Sequence, residues 1–236
     1  MNAPIRVLIH GASGRMGQTL LRLMAEQPLL TLAAAVAPPS PEADLRGQPF
    51  HPVSEIESAP DFDVAIDFSL PVAFDGVLAL CARRRKAFVS GTTGLAAQQR
   101  AMLQAASAQI PVLWSANYSL GVAVLEELVE RAAAALNSWD CDIVESHHTR
   151  KLDAPSGTAL ALGAAAERGG SAPHYASLRA GDIVGEHFVQ FTGMGERIEL
   201  VHRATNRDIF ARGALHAASR LAARPAGSYR LRDLLD

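Results

Sequence analysis

Ile5-Arg6-Val7-Leu8-Ile9-His10-Gly11-Ala12-Ser13-Gly14-Arg15-Met16-Gly17 is the stretch on which the fold turns. Ile5 to His10 is an apolar, β-branched run, the pattern of a strand buried on both faces. Gly11 to Gly17 is a glycine-rich turn. Gln18 to Gln27 then sets Leu20, Leu21, Leu23 and Met24 at helical spacing, and Pro28 ends that helix. Leu29 to Val36 is a second apolar strand, so the segment reads as a βαβ unit. In such a unit the glycines let backbone approach a pyrophosphate, and the helix start turns its N–H groups toward the anion. The spacing is G-x-x-G-x-x-G rather than G-x-G-x-x-G. Its place between a strand and an amphipathic helix favours dinucleotide binding over a plain structural turn.

The same logic expects an acid at the end of the second strand for the ribose of NAD, or an arginine for a 2′-phosphate. Ala37, Pro38 and Pro39 stand there instead. Arg15 and Arg46 are the nearby cations, and neither decides the matter. NADH and NADPH both remain open.

Working outward, Ala37 to Pro60 is rich in proline and reads as loop. Strands at Asp63–Phe68, Ala87–Ser90 and Ile110–Trp114 alternate with helices at Val72–Arg85 and Leu95–Gln109. That alternation predicts a Rossmann-like doubly wound parallel sheet, an α/β architecture. The basic run Arg83 to Lys86 fits a helix C-terminus better than a phosphate site, because cations there complement the helix dipole. Two turns follow strands: Gly91-Thr92-Thr93-Gly94 and Ser115-Ala116-Asn117-Tyr118-Ser119. Ligands of open α/β sheets sit at such carboxyl ends, so these turns are candidates for the nicotinamide half of a cofactor site. Each is also compatible with an ordinary capped βα turn.

After Gly121 the pattern changes. A helix from about Leu120 to Leu136 precedes a strand at Asp140–Glu145 and a helix at Ser156–Arg168. Strand-like runs then follow each other at Asp182–Phe191 and Glu196–His202. Helical spacing returns from Arg207 to Ala223. This predicts a second, α+β domain over residues 119–206, with residues 1–118 and 207–236 forming the first.

The chemistry concentrates in Glu145-Ser146-His147-His148-Thr149-Arg150-Lys151-Leu152-Asp153-Ala154-Pro155-Ser156-Gly157-Thr158. Two histidines, two cations and two carboxylates lie between a strand and a helix. Ser156 or Asp153 caps that helix, leaving N–H groups near Gly157 and Thr158 for an anion such as a carboxylate. His147 exchanges a proton near neutral pH. Lys151 is one of only two lysines among 22 basic residues, and unlike arginine it changes protonation state readily. A zinc site at His147 and His148 is disfavoured because adjacent histidines face apart and no cysteine or distant histidine pattern completes the set, so no metal is expected. A merely solvated loop is the other alternative.

Composition sets the limits around these motifs. Of 236 residues, 49% are hydrophobic and 19% charged, which excludes a disordered chain. A net charge of −2 gives no basic excess for nucleic acid or an anionic membrane. Cys81 and Cys141 are too few for a disulfide scaffold or a cysteine zinc site. No apolar run reaches the roughly 18 residues of a membrane span, and no secretory signal is visible. A cytoplasmic protein is expected.

With these residues in hand the chain resembles the 4-hydroxy-tetrahydrodipicolinate reductase (dihydrodipicolinate reductase) family of lysine and diaminopimelate biosynthesis. The matching segments are GASGRMG at Gly11, DFS at Asp67, GTTG at Gly91, SANYSLGV at Ser115, ESHHTRKLDAPSGTAL at Glu145, RAGDIVGEH at Arg179 and GERIELVHRA at Gly195. The resemblance implies NAD(P)H-dependent reduction with loss of water, an N-terminal nucleotide domain, and a C-terminal domain for substrate and homotetramer assembly. It implies His147 as the acid–base residue and Lys151 as a proton donor. It implies a dicarboxylate bound by His148, Gly157 and Thr158, with Arg207 as a further substrate-side cation. Gly11, Ala12, Ser13, Gly14, Arg15, Met16, Gly91, Thr92, Thr93, Ser115, Ala116, Asn117 and Tyr118 would line the cofactor. The chain departs from the family at Ala37 and Pro38, where an acid is usual. It also departs between Glu167 and Leu178, where a longer glycine-rich loop is usual. A different two-domain amino-acid dehydrogenase would share the first glycine turn but not the 145–158 segment. A nucleotide-binding sensor would need neither His147 nor Lys151.

Overall fold

The computed structural model describes residues 3–38, 47 and 50–235. The chain divides into two compact units, Met1–Tyr118 with Phe210–Asp236, and Ser119–Ile209.

The first unit is built on strands β1 (Ile5–His10), β2 (Leu30–Ala37), β3 (Phe50–Pro52), β4 (Val64–Asp67), β5 (Ala87–Ser90), β6 (Pro111–Trp114) and β11 (Gly227–Tyr229). They form one sheet in the order β11-β6-β5-β4-β1-β2-β3, and every pairing is parallel. The strand order reverses at β1, which pairs with β2 on one side and β4 on the other. Such a switch point is where doubly wound sheets bind ligands. Helices α1 (Arg15–Met24), α2 (Pro71–Arg84), α3 (Ala97–Ser107) and α6 (Asp208–Leu221) provide the covering layers. Phe62, Phe74 and Phe88 are fully buried in one cluster. Burying each such ring stabilises the fold by about 1.5–3 kcal/mol.

Helix α1 starts within the glycine turn, at Arg15, rather than at Gln18 as the apolar spacing suggests. Gly14 takes the N-cap position in an extended conformation. Gly17 then lies so close to the turn that a Cβ on it would meet the Gly11 carbonyl oxygen at 2.3 Å. Only glycine lets that first helical turn form against the strand end. The loop expected over 37–60 contains β3 and a 3₁₀ segment at Val53–Ser58 among its described residues. Arg46, weighed above as a phosphate ligand, lies outside the described residues.

The second unit carries α4 (Leu120–Ala135), β7 (Asp140–His147), α5 (Gly157–Arg168), β8 (Pro173–Arg179), β9 (Gly185–Gly193) and β10 (Glu196–Ala204). Its sheet runs β10-β9-β7-β8, with β8 parallel to β7 and β9 antiparallel to both β7 and β10. Helices α4 and α5 pack on one face, through Leu125, Val129, Leu162, Ile143, Val189 and Phe191. Strand β8 occupies part of the stretch read above as a shortened loop. Its residues are mostly exposed, so it lacks the apolar alternation that signals a strand. Pro173 opens it, where a missing N–H costs no ladder bond. Among the described residues, no helix is long and apolar enough to cross a membrane.

Candidate active site

In the first unit the strand ends at the switch point carry a buried polar cluster. His10 ends β1 and Asp67 ends β4, opposite each other in register, and His10 Nδ1 lies 2.8 Å from Asp67 Oδ1. The other carboxylate oxygen accepts from Ser90 Oγ at 2.8 Å and Thr92 Oγ1 at 2.7 Å. The Ser69 N–H adds a bond to Oδ1 at 3.2 Å. Burial pushes the Asp67 carboxyl up, but His10, Ser69 and Thr92 outweigh it and hold the group below the usual carboxylate range. Asp67 thereby ties together the ends of β1, β4 and β5.

The sequence-derived cofactor residues lie around that cluster. Gly11 has φ +82°, and a Cβ there would meet the Phe68 carbonyl oxygen at 2.5 Å. Its N–H and that of Ala12 both donate to the Val36 carbonyl at 3.0 Å, which fixes the turn. Ser13, Gly14 and Arg15 are exposed and Met16 is half-buried at the head of α1. Helix geometry leaves the N–H groups of that first turn without intrahelical acceptors. Gly91 has no space for a side chain beside the Phe68 ring, whereas Thr93 is exposed. Thr92 and Tyr118 turn inward: the Tyr118 hydroxyl donates to the Ser90 carbonyl at 2.8 Å. Ser115 Oγ donates to the Asn117 carbonyl at 2.6 Å and accepts the Asn117 N–H at 3.2 Å, forming a closed polar turn beside exposed Ala116. A glycine cradle at a helix N-terminus, with small polar strand ends around it, fits a dinucleotide. At the end of β2, Ala37 is buried and Pro38 exposed.

The second unit holds His147, the residue that the resemblance implies as the acid–base group. His147 ends β7 and is 8% exposed. Its Nδ1 bonds Glu145, two residues back on the same strand face and 1% exposed. Arg179, the last residue of β8, pairs with His147 in register. Its guanidinium grips Glu145 with two bonds, 2.9 Å to Oε2 and 2.8 Å to Oε1. Arg179 also donates to the carbonyls of Lys151 and Asp153, so it holds the connecting loop as well. Burial raises the Glu145 carboxyl, yet Arg179, Ser177 and His147 bring it down to about 2. The His147 imidazole is held below its ordinary value, chiefly by burial, against an upward pull from Glu145.

Lys151 lies near enough to His147 to oppose its protonation, and its Nζ donates to Asp153 at 2.8 Å. Ser156 caps α5, accepting the Ala159 N–H at 3.2 Å. Gly157 and Thr158 open that helix, and a Cβ on Gly157 would meet only open space. His148 diverges from His147: its Nε2 accepts from Arg207 at 3.3 Å. The two adjacent histidines therefore have different partners. Among the described residues no group of three or more His, Cys, Asp or Glu is placed to hold a metal ion.

Sequence reasoning places Glu145 in the 145–158 cluster without assigning it a partner, and leaves Arg179 and His187 out of the site. The contact of Glu145 with His147 follows from their i, i+2 spacing on a strand. The contact of Arg179 does not follow from spacing, because it depends on the β7–β8 register. His187 on β9 is also long-range: its Nε2 lies 3.2 Å from Ser156 Oγ, and its ring meets that of His147 edge-on at 5.2 Å.

The chain is similar to known proteins in sequence and in fold. The sequence profile described as "Dihydrodipicolinate reductase, N-terminus" matches residues 5–118, and "Dihydrodipicolinate reductase, C-terminus" matches residues 121–235. The 4-hydroxy-tetrahydrodipicolinate reductase of Stenotrophomonas maltophilia (strain K279a) is 70% identical over 234 residues, covering 98% of both chains. The protein of the same name from Xylella fastidiosa (strain 9a5c) is 60% identical over 236 residues, covering 100% of both. Among solved structures, the dipicolinate-bound dihydrodipicolinate reductase of Paenisporosarcina sp. TG-14 aligns with a TM-score of 0.79 and 21% identity, over 98% of this chain and 99% of that one. A diaminopimelate dehydrogenase of C. glutamicum aligns less closely, with a TM-score of 0.61 and 14% identity, over 100% of this chain and 96% of that one. At those identities the structural likeness speaks for the fold alone.

Proposed function

This chain belongs to the dihydrodipicolinate reductase family, and from that premise we infer that it is an NAD(P)H-dependent reductase of 4-hydroxy-tetrahydrodipicolinate. The product is tetrahydrodipicolinate, with water released, in lysine and diaminopimelate biosynthesis. One observation carries the assignment to residues: a buried, carboxylate-anchored histidine, a lysine and an open helix N-terminus converge in one unit.

The reaction needs one hydride and one proton, and the hydroxyl leaves as water. The nicotinamide supplies the hydride when bound. His147 and Lys151 supply the proton, His147 through its Nε2 because Nδ1 is committed to Glu145. The first N–H groups of α5, at Gly157 and Thr158, receive one carboxylate of the substrate. His148 and Arg207 offer a cationic and hydrogen-bonding anchor for the other. Gly11 to Met16, Gly91 to Thr93 and Ser115 to Tyr118 hold the nucleotide. Ala37 and Pro38 offer neither a carboxylate nor a guanidinium, so they do not select between NADH and NADPH.

The protein works as a homotetramer in the cytoplasm. The face of the second sheet opposite α4 and α5 supports the assembly: Leu178, Val144, Phe188 and Val201 lie on it, and Leu178 and Val201 are 55% and 40% exposed. The same face carries charged pairs such as Arg203–Glu186, and apolar side chains exposed among polar ones in this way are suited to burial between subunits.

The test is nucleotide oxidation with freshly generated 4-hydroxy-tetrahydrodipicolinate, beside open-chain substrates such as aspartate semialdehyde. Rapid oxidation of NADH or NADPH with the cyclic substrate alone is expected, and the two rates give the coenzyme preference. Turnover only with an open-chain substrate would assign the chain to another dehydrogenase class. Nucleotide binding with no turnover would indicate a sensor.

A further inference from the structure

We propose that Glu145 is the positioning residue of the reaction: with Arg179 it fixes the tautomer and ring orientation of His147. This rests on the reading of His147 as the acid–base residue. The geometry comes from four bonds on one buried carboxylate. It meets His147 Nδ1, two guanidinium nitrogens of Arg179, and the Ser156 N–H at 3.3 Å. An ionised carboxylate is acceptor-only, so Nδ1 must carry the proton that bridges to Glu145. The working proton is therefore confined to Nε2. A Cβ at residue 185 would come within 3.0 Å of that nitrogen, so Gly185 keeps the approach clear.

Arg179 makes the arrangement workable. A lone buried carboxylate would strongly stabilise the imidazolium and so weaken His147 as an acid. The bidentate guanidinium neutralises Glu145 while leaving it an oxygen for Nδ1. The same pair joins His147 to the rest of the site, because Arg179 holds the Lys151 and Asp153 carbonyls and Glu145 holds the N-cap backbone of α5. The groups facing His147 are Glu145 on its own strand, Arg179 from β8, His187 from β9 and Lys151 from the loop. Of these, only Glu145 pulls the imidazole toward protonation.

Two measurements test this on the full-length enzyme. The first is ¹⁵N imidazole NMR of the unmutated protein, with His147 assigned by comparison with His147→Gln. A protonated Nδ1 and a pyridine-like Nε2 above the titration are expected, and the opposite tautomer would overturn the proposal. The second is the pH profile of kcat in Glu145→Gln and Glu145→Asp. The Gln variant is expected to lose roughly 10²-fold in kcat, the lower end of what a positioned acid–base group contributes. Its basic limb moves to lower pH, and Asp restores the limb toward its original position. A purely architectural Glu145 would lower activity with the limb unmoved in both variants, and that result would overturn the proposal. If His147→Gln itself retained full turnover, the acid–base reading beneath the proposal would fail, whatever Glu145 did.

Discussion

His187 shows how a single buried side chain ties the site to acidity. Burial, followed by the neighbouring His147 and His202, lowers its pKa to about 4. In the unfolded chain an imidazole titrates near 6.5. Between these values the unfolded state binds the extra proton, so stability is fully present above about pH 6.5 and falls as pH drops toward 4. Urea midpoints across that window should decline, and His187→Asn should flatten the decline; an unchanged slope would remove His187 as its cause. Gly185 makes a second residue-scale case. Gly185→Ala sets a methyl within 3.0 Å of His147 Nε2. Turnover should fall at least tenfold, as expected when a general acid is obstructed, and nucleotide affinity should hold. Wild-type turnover in that variant would show that Nε2 is not the working atom. Single residues were also where the sequence was least informative. Glu145, Ser146 and His147 stand together in the chain, but the guanidinium that completes the group is Arg179, across a parallel strand pairing. No local spacing encodes that register.

Elements were easier to read than residues wherever one face is apolar. Strands β1, β4 and β5 are buried along nearly their whole length, and continuous apolar runs mark them. Strand β8 has no apolar alternation to read because it is an exposed edge, and β11 has none because Gly227–Tyr229 is too short to show a period. Apolar spacing starts helix α1 three residues late because its cap and first turn use Gly14 and Gly17, the latter required by close packing rather than by helical propensity. The head of α5 carries an element-scale prediction. Ser156 caps it through the Ala159 N–H, and His187 meets the same hydroxyl. Ser156→Ala should cost about 1 kcal/mol of stability, typical of a lost N-cap. It should also raise KM for the dicarboxylate more than it lowers kcat, because the anion-binding turn loosens while His147 keeps Glu145. Thermal denaturation and steady-state kinetics would read both; a change in kcat alone would argue against an anion role for this helix start.

At the scale of the molecule, a parallel sheet with a glycine cradle is followed by a smaller mixed sheet that carries His147 at the end of one strand. The alternation up to Trp114 and its breakdown after Gly121 made that division visible in the sequence. The homotetramer that the resemblance implies has no local signature in the sequence, because the outer face of the second sheet, with Val144, Leu178, Phe188 and Val201 among charged residues, exists only once β7, β8, β9 and β10 are in register. Light scattering should give the mass of four chains, and Val201→Glu should lower it; a monomeric wild-type protein would contradict the homotetramer. The reaction itself is tested most directly by one comparison: turnover of His147→Gln against the unaltered enzyme on the cyclic dicarboxylate, with nucleotide affinity measured in the same preparations. The account predicts a loss of roughly 10²–10⁴-fold in kcat with nucleotide binding unchanged. Turnover near the wild-type level would contradict it.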